Sequence, residues 1–69
     1  MSKDAPDVIE GVFFKTRVAI TRKKSIRIFN DQNIPFDDFK PTCDKIGCYL
    51  IQEGFVTTKM PRIEVKMPS

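Results

Sequence analysis

The chain has 69 residues, 41% hydrophobic and 30% charged, with six phenylalanines, no tryptophan and no histidine. That is one domain with no room for a second, burying only about 60% of the surface its unfolded form would expose. Net charge is +3 with a pI of about 9.1, short of the density of arms that bind nucleic acid by charge alone.

Residues 1–7 (MSKDAPD) are polar, Pro-interrupted and terminal, and read as a disordered tail ahead of a single α+β domain over residues 8–67. The first strand is expected to begin near Val8 and run to about Thr21, with a bulge or bend at Gly11. Over this stretch Val12, Phe14, Thr16, Val18 and Ile20 fall on one side, and Phe13, Lys15, Arg17, Ala19 and Thr21 on the other. Such period-two alternation marks a half-buried strand. A turn at Arg22-Lys23-Lys24 follows, after which Ile26 and Ile28 rejoin the first side and Arg27 and Phe29 the second. Phase argues for three loop residues. If Ile20 pairs with Ile26, Thr21 pairs with Ser25, whereas a two-residue loop would throw one strand's core residues into solvent. Lys24 would then take the left-handed position that glycine usually fills. The same register sets Arg17 opposite Phe29 and Ala19 opposite Arg27, and a cation over a ring is expected.

Asn30–Pro35 (NDQNIP) is a loop. A helix follows, its core stripe Phe39, Cys43, Ile46 and Leu50 recurring at helical spacing. Its start is either Asp38 as N-cap or Pro41 at the first position, and Gly54 ends it. Residues 55–60 and 62–67 read as further strands, with Pro61 between them. The expected fold class is α+β: an antiparallel sheet of three to four strands with one helix on one face, in the order ββαβ or ββαββ.

Chemistry is sparsely represented. Lack of histidine removes the commonest general base and metal ligand, and no phosphate-binding loop or dinucleotide fingerprint is present. No enzyme activity, metal or cofactor is expected. Cys43 lies on the core stripe, while Cys48 points elsewhere and is the better candidate for a reactive thiol. Asp31, Asp37 and Asp38 are accounted for by loop hydrogen bonding and by the positive end of the helix dipole. No stretch is long and apolar enough to span a membrane, and the N-terminus lacks a signal-peptide apolar region; a cytoplasmic or nuclear location is expected.

Charge is unevenly placed. Six Lys/Arg and no acid lie between Lys15 and Arg27, and four Asp against one Lys between Asp31 and Asp44. The expected binding surface is the outward face and tip of the hairpin: Phe13, Lys15, Arg17, Arg22, Lys23, Lys24, Arg27 and Phe29. Rings flanked by cations suit stacking on single-stranded nucleic acid, and a basic hairpin also suits the groove of duplex DNA. Nucleic acid therefore ranks first as partner, in a regulatory role. The alternative is an adaptor or inhibitor that docks on a larger protein through the same face or a sheet edge. The bland reading makes the cations solvated charges and leaves the rings covered by neighbouring segments. With so small a core, a homodimer is a further option.

Overall fold

The computed structural model describes residues 8–68; the tail expected over residues 1–7 lies outside the described residues. Five elements follow in order: β1 (Val8–Phe13), β2 (Thr16–Thr21), β3 (Ser25–Phe29), α1 (Phe36–Gln52) and β4 (Arg62–Lys66). The strands form one sheet in the spatial order β1-β2-β3-β4, with α1 on one face. The chain is a small α+β domain with a mixed, mostly antiparallel sheet, of order βββαβ.

The expected long first strand is instead two strands folded at Phe14-Lys15. Both residues have positive φ, 53° and 61°, as the two central positions of a type I′ hairpin turn require. Neither is the glycine or asparagine that would announce such a turn. The fold-back inverts the phase. Phe13 pairs with Thr16 and Val12 with Arg17, so even positions of β1 share a face with odd positions of β2. Phe13 therefore belongs to the helix side and Val12 to the open side, the reverse of the simple alternation. Gly11 pairs regularly with Val18, with no bulge.

From β2 onward the register is as expected. Ile20 pairs with Ile26, Thr21 with Ser25, Ala19 with Arg27 and Arg17 with Phe29. The tip has three residues. Its Lys24 N–H donates to the Thr21 carbonyl at 3.0 Å, and the positive φ values fall on Arg22 and Lys23, 54° and 59°, rather than on Lys24.

Helix α1 starts earlier than either expected cap, at Phe36, with Pro35 at the N-cap position. The Pro35 carbonyl accepts from the N–H groups of Asp38 and Phe39, both at 2.9 Å. Pro41 consequently sits inside the helix, in its second turn, with no N–H for the Asp37 carbonyl. At the other end Gly54 adopts φ 86°. The Phe55 N–H donates to the Leu50 carbonyl and the Gly54 N–H to that of Ile51, the paired bonds of a Schellman motif.

That reversal fixes the direction of β4. The chain leaves β3 at the Asn30 end, α1 carries it back to the hairpin tip, and the next strand must start there. β4 accordingly runs parallel to β3, pairing Ser25 with Arg62 and Phe29 with Lys66. Residues 55–60 form no strand but an irregular segment tied to the tip. The Thr57 N–H donates to the Lys23 carbonyl and the Arg62 N–H to that of Lys24, both at 3.1 Å.

The core is Val18, Ile20, Ile26 and Ile28 from the sheet, Phe39, Cys43, Ile46 and Leu50 from the helix, and Val56. Each large aliphatic or aromatic side chain so buried contributes about 1.5–3 kcal/mol over exposure. Gly47 is buried on the same helix, and a β-carbon there would stand 3.3 Å from Ile63 Cδ1. The absent side chain lets the helix approach β4.

Candidate binding surface

On the face away from the helix, the registers line side chains into three rows across the four strands. One reads Val12, Arg17, Phe29, Lys66; the next Glu10, Ala19, Arg27, Glu64; the third Val8, Thr21, Ser25, Arg62. Of the residues expected on this surface, Arg17, Arg27 and Phe29 are brought together. Phe13 is not. Its ring lies on the helix side, 5.8 Å from the Tyr49 ring and 5.6 Å from that of Phe55. Lys15 occupies the first turn, and Arg22, Lys23 and Lys24 the tip, all exposed.

Arg17 does two things at once. Its guanidinium lies 3.9 Å from the centre of the Phe29 ring, the expected cation–π contact. It also donates twice to Asp31, Nε to Oδ2 at 3.1 Å and Nη2 to Oδ1 at 3.3 Å. The Asp31 hydrogen bond is the main cause that raises the Arg17 pKa, with smaller help from the charges of Asp31 and Glu10. Arg27 donates to Glu64 at 3.3 Å, and Lys66 stands 3.5 Å from the same carboxylate. Lys66 is the chief reason that the Glu64 pKa is lowered, with Arg27 contributing through a hydrogen bond and its charge. The sheet face is thus largely neutralised by its own acids.

Asp31 is held in place by its neighbour. Asn30 is 1% exposed, and its amide bridges Ile34: Nδ2 donates to the Ile34 carbonyl at 2.8 Å, and Oδ1 accepts from the Ile34 N–H at 2.9 Å. The Asn30 N–H donates to the Lys66 carbonyl, extending the β3–β4 ladder. Sequence reasoning missed these partners. Continuing the alternation two residues past Phe29 would have set Asp31 beside Arg17. Glu64 could not be found that way, because its place opposite Arg27 depends on β4 being parallel.

Between Val12, Lys15, Arg17, Phe29, Asp31 and Gln32 lies a groove of about 260 Å³. That is below the usual size of small-molecule sites, so this end offers surface contact rather than engulfment. Among the described residues no group of three His, Cys, Asp or Glu side chains could hold a metal ion. No helix of the described chain is long and apolar enough to cross a membrane.

The opposite end of the sheet differs. The hydrogen bonds from Thr57 and Arg62 draw the 57–62 segment against the tip, so Lys59 and Arg62 join Arg22, Lys23 and Lys24. Among the described residues none of these five is in an ion pair. Among the described residues the acid of that end is Glu53 at the helix C-cap, whereas Asp31, Asp37 and Asp38 gather at the other end.

Compared with family models, curated proteins and solved structures, the chain matches none.

Proposed function

We propose that the chain is a non-enzymatic, regulatory binding module that engages nucleic-acid phosphates through the basic end of its sheet. One observation carries this reading. Arg22, Lys23, Lys24, Lys59 and Arg62 are gathered at one end, where two backbone hydrogen bonds tie the 57–62 segment to the tip, while Arg17 and Arg27 are already bound to acids. The tip therefore supplies the phosphate contacts, and Phe29 under Arg17 is a secondary stacking position. Cys43 and Cys48 are free thiols, which suits a reducing compartment, cytosolic or nuclear.

Titration of a labelled mixed-sequence single strand and of a duplex, at low and moderate salt, tests it. Binding should weaken steeply with salt, because each phosphate contact releases counterions. The Arg22→Ala/Lys23→Ala/Lys24→Ala variant should lose at least about tenfold in affinity and flatten the salt slope by up to about 0.9 per contact removed. Arg17→Ala/Phe29→Ala should lose less. Absence of binding at low salt refutes the reading. Protein docking then becomes the better account, favoured by the acid-paired, nearly neutral face around Arg17 and Arg27.

A further inference from the structure

The two edges of the sheet are built differently. β4 is flanked by Pro61 and Pro68 and carries Arg62, Glu64 and Lys66, the residue types that keep an edge strand from pairing. β1, at the other edge, reads Val-Ile-Glu-Gly-Val-Phe, with no Lys, Arg or Pro. Val8, Ile9 and Val12 are 43%, 41% and 70% exposed. Its free backbone groups can be assigned. In a two-residue hairpin the pair that closes the turn, here Phe13 and Thr16, exchanges hydrogen bonds, and pairs alternate from there. Phe13, Gly11 and Ile9 are thereby committed to β2, and the N–H and C=O groups of Val8, Glu10 and Val12 point away from the sheet. Among the described residues no strand but β2 pairs with β1.

We propose that this edge pairs with a second copy of the chain, β1 against β1 and antiparallel about Gly11, joining two four-stranded sheets into one of eight strands. The strand is complementary to itself in this register. Residues opposite each other must share a sheet face, which restricts the two-fold axis to passing through a residue. Centred on Glu10, two carboxylates would face each other, which is unfavourable. Centred on Gly11, Ile9 lies opposite the second copy's Phe13, Glu10 opposite its Val12, and the two glycines meet. Glu10 and Val12 are the residues with outward backbone groups, so each such pair exchanges two hydrogen bonds. The guarded β4 edge discourages β1-to-β4 joining, so assembly closes at two copies and does not run on.

Sedimentation equilibrium of the full chain, from a few micromolar to several hundred, tests this. The wild-type mass should rise from 8.0 kDa toward twice that as concentration increases. Val12→Glu sets a carboxylate opposite the second copy's Glu10, and Val12→Pro removes an outward N–H while leaving the β2 ladder intact. Either should weaken self-association at least about tenfold, the equivalent of about 1.4 kcal/mol. Far-ultraviolet circular dichroism of both variants should match the wild type diluted to monomer. A wild-type mass fixed at 8.0 kDa throughout, or a dimer that survives both substitutions, overturns the proposal. The triple alanine variant at the tip should dimerise as the wild type does, so failure of this inference and failure of the nucleic-acid reading register separately.

Discussion

The two ends of the sheet treat charge in opposite ways, although both hold turns with residues at positive φ. At the Asn30 end positive φ falls on Asn33, at 54°, a type that tolerates the left-handed region, and on Phe14 and Lys15 of the first turn. There the arginine is stacked and doubly hydrogen-bonded, and the buried amide is fully partnered. At the tip, Arg22 and Lys23 hold positive φ where glycine or asparagine would cost less. The first turn breaks the same rule, but there packing offers a reason for Phe14, whose ring lies edge-on to Tyr49 at 5.5 Å and beneath Lys45 at 5.4 Å. Among the described residues no side-chain contact of that kind accounts for Arg22 and Lys23. The tip is held in this shape by its backbone, through the bonds from Thr57 and Arg62 that also gather its cations.

The sharpest way to test that contrast is to break the settled end. Asn30→Ala strips partners from both the N–H and the C=O of Ile34 and leaves a gap in a site that is 1% exposed. Two broken bonds in a buried setting should cost about 2–4 kcal/mol of folding stability in urea titration. Asp31→Ala, which removes only an exposed ion pair, should cost under about 1 kcal/mol. If both cost the same, Asn30 is not the clamp.

How much of this was legible beforehand follows from what each feature depends on. The β2–β3 register, the Arg17–Phe29 contact and the helix stripe from Phe39 to Leu50 rest on local periodicity, and all are found. The Phe14-Lys15 turn was hidden because neither residue is a turn former; without it Phe13 was given to the wrong face. Pro41 drew the helix start too late, since a proline in the second turn costs one hydrogen bond that burial of Phe39 and Cys43 offsets. The parallel strand β4, and with it the Arg27–Glu64 pair, depends on where the whole chain returns, which no local pattern records. The basic end was half legible: Arg22, Lys23 and Lys24 are adjacent in sequence, but Lys59 and Arg62 arrive through tertiary hydrogen bonds.

The unsettled end can be probed by relieving its strain. Lys23→Gly supplies a residue at home at φ 59°, recovering the roughly 1–2 kcal/mol that a left-handed L-residue costs. The greater entropy of glycine in the unfolded chain takes part of that back. Thermal or urea unfolding should show a net gain of about 0.5–1 kcal/mol, while salt-sensitive binding of nucleic acid falls through loss of one cation. A gain in stability together with a loss in binding would identify the tip as a place where folding and function pull apart. A loss of stability would mean that the lysine side chain supports the fold after all.

The smallest expected effect belongs to the acid that neutralises the sheet face. The Glu64 pKa is lowered by Lys66 first and by Arg27 second. A carboxylate whose pKa is lower when folded contributes stability above its ordinary value and loses that contribution as pH falls through the folded value. Glu64 is exposed, so solvent screening keeps the contribution small. Melting temperature followed from pH 7 down to about pH 3 should therefore separate wild type from Glu64→Gln slightly at neutral pH, with the two converging in acid. Raised salt should narrow the neutral-pH gap, because exposed pairs are screened. The same substitution frees Arg27 and Lys66 on the sheet face. If Glu64→Gln strengthens nucleic-acid binding while barely moving the melting temperature, the acid restrains the face more than it holds the fold. If binding does not change, phosphate contact is confined to the tip, and the division between the two ends of the sheet is as sharp as the ion pairs imply.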